Sequence, residues 1–177
     1  MRRKLVAGNW KMFGLKADLG EVEAIAAAAA ANPEVDVALS VPFTLIAPAA
    51  AVAGAMPIGA QDVHEADRGA HTGCISGAML AELGAKLTIV GHSERRADQH
   101  ETSHDAWAKA AAARRHGLKV ILCCGETEAE HDAGEDGVGH RVGDERQPPE
   151  QHVDADDAAQ RAEDDHLEQG TGHERSL

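Results

Sequence analysis

The sequence predicts an α/β protein built on a parallel β-sheet. Over residues 1–130, short apolar runs alternate with polar or glycine-containing loops and with helical stretches that end at Gly or Pro. Near-continuous apolar runs that alternate with helices are typical of parallel strands buried on both faces. A chain of 177 residues is long enough for one domain with its own core.

Five apolar runs predict the strands, and they cover residues 5–7, 35–41, 58–60, 87–90 and 120–123. Four helical stretches lie between them, at about residues 18–32, 45–53, 76–83 and 103–116. Asp18, followed by Glu21, predicts an acidic capping box for the first helix, and Ser76 can cap the third. Pro48 makes the second helix the weakest of the four predictions. Pro33, Gly84 and Gly117 supply stop signals.

Two architectures fit this alternation, an open doubly wound sheet and a (β/α)8 barrel. The first predicted strand is not followed by the three-glycine dinucleotide fingerprint, which disfavours the open sheet. Polar side chains follow several strand ends instead, and barrel enzymes keep their chemistry at that position. These residues are Asn9 and Lys11, Gln61 and Asp62, His92 and Glu94, and Glu126.

Composition divides the chain into two regions, a predicted partial barrel domain at residues 1–130 and an acidic tail at residues 131–177. The tail has 14 acidic and 4 basic residues, no aromatic residue and few large aliphatic ones. Such a segment buries too little apolar surface to offset its ordering entropy, so we expect it to be disordered. Its five histidines are 7 to 14 residues apart, which does not suit a compact metal site, and we expect no metal or other cofactor.

Charge and cysteine content limit the classes of function. The net charge of −13 disfavours nucleic-acid binding, which needs clustered Lys and Arg. Three cysteines without spaced pairs fit free thiols in a reducing compartment. We find no secretory signal and no membrane span in the sequence, so we expect a cytoplasmic protein.

Three residues at the predicted strand ends are candidates for chemistry, and each also has a plainer interpretation. Lys11 fits a fixed cation for an anionic substrate, or a solvated loop lysine. His92 precedes a predicted helix start at Ser93, where the helix N-terminus favours a neutral imidazole that can donate a hydrogen bond to a carbonyl. A structural histidine is equally compatible with this spacing. Glu94 belongs to a charge run that is most often an exposed cluster.

Four strings, "VAGNWKM", "GAQDVHEADRGAHTG", "IVGHSERR" and "ILCCGET", resemble the N-terminal half of the triosephosphate isomerase family, in the same order and over roughly residues 1–134. The resemblance implies a TIM barrel, of which this chain would hold the first four to five βα units. It also implies an isomerase of glycolysis and gluconeogenesis that interconverts dihydroxyacetone phosphate and glyceraldehyde 3-phosphate through an enediolate, without a cofactor.

The resemblance also implies roles for individual residues. Asn9 and Lys11 would line the substrate site, Glu94 would orient Lys11, and His92 would be the electrophile that moves protons between the substrate oxygens. Ser93, the buried thiol Cys123 and the carboxylate Glu126 would support them. The loop His71-Thr72-Gly73 would reach a second subunit in a homodimer. His100 stands where the family frequently has Gly.

The family's Tyr-Glu-Pro-Val-Trp segment, whose glutamate is the general base, does not occur in this sequence, which has no tyrosine. We therefore expect the chain to be nearly inactive by itself; the alternative is a catalytically inactive fragment that acts as a binding or interaction module. A reading-frame shift would explain the tail, as would a genuine acidic interaction segment. A sheet of four or five strands would keep open edges, which predicts low stability and association.

Overall fold

A computed structural model describes residues 3–125. Its five strands are β1 (Lys4–Asn9), β2 (Val35–Ser40), β3 (Ile58–Ala60), β4 (Leu87–Val90) and β5 (Lys119–Leu122). Its helices are α1 (Leu19–Ala31), α2 (Ile46–Val52), α3 (Gly77–Glu82), α4 (Ser93–Asp98) and α5 (Ser103–Arg115), and short 3₁₀ turns precede α1 and α2. Glu126, for which the resemblance implied a supporting role, lies outside the described residues. The acidic tail at residues 131–177, which we expected to be disordered, also lies outside them.

Most helix boundaries follow from local capping. Ser76 caps α3 as predicted, since its hydroxyl accepts the N–H of Met79. The predicted capping box at Asp18 is wrong, because the Asp18 carboxylate makes no hydrogen bond to the first turn of α1 and instead accepts the N–H of Leu15, the N-cap residue of the preceding 3₁₀ turn. Pro48 is tolerated because it is the third residue of α2, where a backbone N–H has no partner within the helix. The helix predicted to begin at Ser93 exists as the short α4.

The strand order decides between the two predicted architectures. All four strand pairs are parallel and the order is β1-β2-β3-β4-β5, the same as the order along the chain. A doubly wound sheet reverses its order at a switch point, whereas a (β/α)8 barrel adds each strand beside the previous one. The described residues therefore follow barrel topology, and the carboxyl ends of their strands lie at one edge.

Burial is deepest in the middle of the sheet. Every residue of β3 and β4 is buried, and the core between sheet and helices includes Ile46, Ile58 and Leu80. The outer strands are less covered: Leu5 and Val6 of β1 and Leu122 of β5 are among the exposed large apolar residues. Within residues 3–125, β1 and β5 each pair with only one strand, so the expected association through open edges stays a prediction.

Candidate active site at the carboxyl ends of the strands

A cavity of about 280 Å³ lies at the carboxyl ends of the strands. It brings together candidate residues that are far apart in sequence, and its lining includes Asn9, Lys11, Gln61, His92 and Glu94. A second cavity, of about 700 Å³, lies at the amino ends of the strands and contains none of these residues. Because the polar candidates converge on the smaller cavity, we assign the site there.

Lys11 occupies an unusual backbone conformation directly after β1. Its φ angle is 53°, in the left-handed region that L-residues other than Gly rarely adopt. Its N–H donates to the side-chain oxygen of Asn9 at 2.9 Å, and its carbonyl accepts the Gln61 amide at 2.7 Å. The same amide nitrogen of Gln61 lies 3.1 Å from the Asn9 oxygen, so the three residues form one hydrogen-bonded unit.

The Lys11 ammonium pairs with Glu94, and the Nζ to Oε1 distance is 2.6 Å. This hydrogen bond from Lys11 lowers the pKa of Glu94, so the carboxylate is charged at neutral pH. About half of each side chain is exposed. Within the described residues the Lys11 ammonium pairs with Glu94, and it remains accessible from the cavity.

His92 precedes α4, and its own side chain caps that helix. Its Nδ1 atom accepts the N–H of Glu94 at 3.3 Å. A ring nitrogen that accepts a hydrogen bond carries no proton, so in this geometry the proton of the neutral ring is on Nε2. The Glu94 Oε2 atom is 3.6 Å from Nδ1, beyond hydrogen-bond distance. His92 can therefore offer an Nε2–H donor to an oxygen in the cavity.

Gly91, the residue before His92, is fixed by hydrogen bonds at both its N–H and its carbonyl. Gly91 has a φ of 68°, its N–H donates to Glu101 at 2.9 Å, and its carbonyl accepts the Arg96 guanidinium at 2.7 Å. Arg96 also reaches the carbonyl of Cys123 at the end of β5. The plainer interpretation of the charge run at Glu94 to Arg96 was an exposed cluster. Arg96 does not fit it, because its guanidinium links the His92 loop to the residue after β5.

A charged network begins at the cavity lining with Asp62 and Arg95 and continues to Glu101 and Lys109. Lys109 contacts Glu101 at 2.6 Å and Asp62 at 2.9 Å, and Arg95 bonds both carboxylates. Burial raises the pKa of Asp62 despite these cations. Burial also opposes ionisation of Glu101, but the hydrogen bonds from Lys109 and Arg95 outweigh it and lower the pKa of Glu101.

Sequence reasoning did not assign a role to this network. Gln61 and Asp62 carried the one available signal, since both follow directly after a strand. Glu101 and Lys109 lie in a loop and a helix without any such pattern, so only the fold brings them into contact with Asp62 and Arg95, which line the cavity.

The remaining predicted residues lie around the site. Ser93 is the exposed first residue of α4 and does not line the cavity. Cys123 is half-buried, and burial raises the pKa of its thiol. The loop His71-Thr72-Gly73 lies exposed between β3 and α3, where the His71 ring packs on His64 with centroids 4.1 Å apart.

Two negative observations apply to residues 3–125. No group of three or more potential metal-ligating side chains is found there. In that same part of the chain, no helix is both long enough and apolar enough to cross a membrane.

Comparison with known proteins identifies the family. A family model described as triosephosphate isomerase matches residues 4–145, which reaches beyond residue 134 where the sequence resemblance was expected to end. The chain belongs to the triosephosphate isomerase family. The first five strands of that family's (β/α)8 barrel account for the order and direction of β1 to β5.

Individual members of the family support this assignment. A triosephosphate isomerase of Dinoroseobacter shibae is 57% identical over 136 residues, and one of a Chelativorans species is 50% identical over 137 residues. Each match covers 75% of this chain and 54% of the relative. A crystal structure of triosephosphate isomerase from Bartonella henselae matches with a TM-score of 0.70 and 40% identity, over 76% of this chain and 56% of that chain. The chain thus spans about half the length of the relatives it matches.

Proposed function

We propose that the cavity at the carboxyl ends of the strands binds a triose phosphate and contributes part of a triosephosphate isomerase site. The reaction is the interconversion of dihydroxyacetone phosphate and glyceraldehyde 3-phosphate through an enediolate, a step of glycolysis and gluconeogenesis. The observation that carries this proposal is the arrangement of Lys11 and His92 in one cavity. Glu94 contacts both residues, since its carboxylate accepts a hydrogen bond from Lys11 and its backbone N–H donates to His92.

Each residue has a distinct task in the proposed reaction. The Lys11 ammonium offsets the charge of the phosphate and of the enediolate, and Asn9 fixes the adjoining backbone. The Nε2–H of His92 donates to the substrate carbonyl as its oxygen gains charge, which is worth most when the donor is already aligned. The reaction also needs a base to remove the carbon-bound proton. The segment that carries this base in the family, Tyr-Glu-Pro-Val-Trp, does not occur within residues 3–125.

We further propose a cytoplasmic homodimer. The free thiols of Cys74, Cys123 and Cys124 support a reducing compartment. The exposed loop His71-Thr72-Gly73 supports a contact with a second subunit, as do the exposed apolar side chains of Met12, Phe13 and Leu15 in the loop after β1. Exposed apolar clusters of this kind mark protein interfaces.

Ligand binding tests the proposed site without requiring turnover. The probe is 2-phosphoglycolate, whose carboxylate and phosphate mimic the charges of a phosphorylated enediolate. We expect its addition to shift the backbone amide NMR signals of Gly91 and His92 in the 177-residue chain. Lys11→Met should abolish the shift, because the ammonium is lost from the cavity.

Lys86→Met is the matched control, since Lys86 is an exposed lysine at the amino end of β4 and lies at the other cavity. Unchanged spectra for the original chain would contradict the proposal and favour a catalytically inactive fragment that acts only as an interaction module. A coupled assay adds the second test, in which we expect nearly no turnover. Turnover that is lost in His92→Ala would show that the chain supplies a base of its own.

A further inference from the structure

The loop between β3 and α3 is closed on itself. The N–H of His64 donates to the carbonyl of Ile75 at 2.8 Å, which joins the two ends of the loop. Between these ends, the N–H of Ala66 donates to the His64 ring at 3.0 Å, and the His71 ring packs on that ring. The enclosed residues, which we call the 65–74 loop, therefore have a defined shape although they form no helix or strand.

The end of α5 ties this loop to the rest of the protein. Within residues 3–125, the hydrogen bonds between the loop and other elements come from Arg115 and His116. The Arg115 guanidinium donates to the carbonyl of Glu65 at 2.9 Å and to Asp67 Oδ1 at 3.1 Å. His116 Nε2 lies 2.8 Å from the same Asp67 oxygen. The hydrogen bonds from His116 and Arg115 lower the pKa of Asp67, so its carboxylate is charged at neutral pH and accepts from both.

His116 is held between two helices. It is the C-cap residue of α5, and its N–H donates to the carbonyls of Ala113 and Arg114. Its ring packs against Gly77, the buried first residue of α3, where an added Cβ atom would lie 2.6 Å from the His116 Cδ2 atom. The His116 side chain is 23% exposed. Packing therefore fixes the direction in which its Nε2–H points toward Asp67.

We propose that Asp67 is a positioning residue that fixes the 65–74 loop against the end of α5 before any second chain is bound. This contact keeps the exposed His71-Thr72-Gly73 surface in one shape, in which it can meet a second copy of this chain. An exposed ion pair alone contributes little, but here one carboxylate oxygen accepts from two donors, one of which is fixed by packing. The contact with a second copy rests on the proposed homodimer, whereas the fixed loop does not.

Hydrogen exchange tests this role in the 177-residue chain, at a dilution where association does not protect the loop. The probes are the amides of Ala66 and Cys74, which donate within the loop to the His64 ring and to the carbonyl of His71. In Asp67→Ala we expect both amides to exchange about tenfold faster, because hydrogen bonds to a charged group are lost. Amides of β4 should keep their rates, which distinguishes opening of the loop from loss of the fold.

Two arginine variants provide a matched comparison. Arg115→Met removes one donor to Asp67 but keeps a long side chain that suits a helix, so exchange in the loop should become faster. Arg114→Met is the control, since Arg114 is the neighbouring exposed arginine of α5 and makes no side-chain hydrogen bond within residues 3–125. It changes the net charge equally and should leave the exchange rates unchanged.

These variants also define the result that contradicts the inference. Equal exchange rates in the original chain, Asp67→Ala and Arg115→Met would overturn it, and so would an equal acceleration in Arg114→Met. If Asp67→Ala does not fold, Arg115→Met carries the test, because the Arg115 side chain is half-exposed and its replacement leaves the core intact.

The concentration dependence of the NMR spectrum separates this inference from the proposed homodimer. Association through the loop should shift the amide signals of His71 and Thr72 as the protein concentration rises. Asp67→Ala should need about tenfold more protein for the same shift, because its loop has to be ordered on association. If Asp67→Ala exchanges faster but the original chain shows no such shift, the positioning role stands and the proposed homodimer fails. If both proteins shift at the same concentration and exchange at the same rate, the positioning role fails alone.

Discussion

Two lysine–glutamate pairs of equal length lie near the cavity in opposite environments. The Lys11–Glu94 and Lys109–Glu101 pairs both have nitrogen to oxygen distances of 2.6 Å. The first pair has side chains 50% and 52% exposed, while the second has side chains 12% and 3% exposed. Distance therefore does not distinguish the two pairs, but burial does.

The difference in burial predicts different roles for the two ion pairs, one in ligand binding and one in stability. An exposed ion pair contributes little to folding because water and salt screen it, so its ammonium can exchange one anion for another. A buried pair has given up its hydration, and removal of one partner leaves an uncompensated charge. We infer that Lys11 is available for a ligand, while Lys109 stabilises the buried Glu101 carboxylate, which accepts the N–H of Gly91 before His92.

The sharpest test compares the two lysines by the same substitution. Lys109→Met leaves the buried carboxylates of Asp62 and Glu101 with Arg95 as their one remaining cationic partner within residues 3–125, and we expect a loss of about 4 kcal/mol in the free energy of unfolding. Lys11→Met should change it far less. Urea denaturation of the full chain measures both values, and equal losses would show that exposure does not separate the two pairs.

Gly91 is the point at which the buried network meets the site. A Cβ atom added there would lie 2.8 Å from Arg96 Nη2 and 3.0 Å from the Cβ of Ala106, in a residue whose φ is 68°. We expect Gly91→Ala to destabilise the chain by about 2 kcal/mol and to displace His92. Gly117→Ala is a useful control, because Gly117 has a similar φ of 74° but open space around its Cβ position. A larger loss for Gly117 would argue against tight packing at Gly91.

Local sequence signals predicted much of the fold. β3 and β4 have the predicted bounds, and Ser76 caps α3 because a serine before a helix satisfies a free backbone N–H. The barrel order could not come from apolar runs alone, since both candidate architectures share them. The missing dinucleotide fingerprint and the polar residues after the strand ends favoured the barrel, the family resemblance implied it, and the strand pairing confirmed it.

The site was predictable where residues follow strand ends, and not where tertiary contacts decide. Lys11 and His92 are each the second residue after a strand, β1 and β4, so their convergence follows from parallel topology. The hydrogen bonds from Gln61 to Asn9 and Lys11 depend on the φ angle of Lys11, which the sequence does not reveal. Glu101 and Lys109 meet only after α5 packs on the sheet, and no spacing rule links them to Asp62.

His100 offers a smaller test of backbone strain. Its φ of 55° nearly equals the 53° of Lys11, and both angles lie in the left-handed region. Unlike Lys11, it is not held by side-chain hydrogen bonds within residues 3–125. His100→Gly should stabilise the chain by about 0.5 kcal/mol, because relief of strain slightly exceeds the entropy cost of Gly. A loss of stability in urea denaturation would instead indicate a contact that holds His100 in place.

The smallest effect on stability is expected from protonation of Glu94. Its pKa is lowered in the folded chain by the Lys11 hydrogen bond, so the pair's contribution is complete above the ordinary value of 4.5 and is lost as pH falls through the lowered value. Because the pair is exposed, the difference in stability between the original chain and Glu94→Gln should stay nearly flat across this range. Glu101→Gln should instead show a pH-dependent difference, since the pKa of Glu101 is also lowered but its side chain is buried. Denaturation midpoints of the three proteins from pH 3 to pH 7 measure both differences, and a pH dependence confined to Glu94→Gln would reverse the assignment of roles to the two pairs.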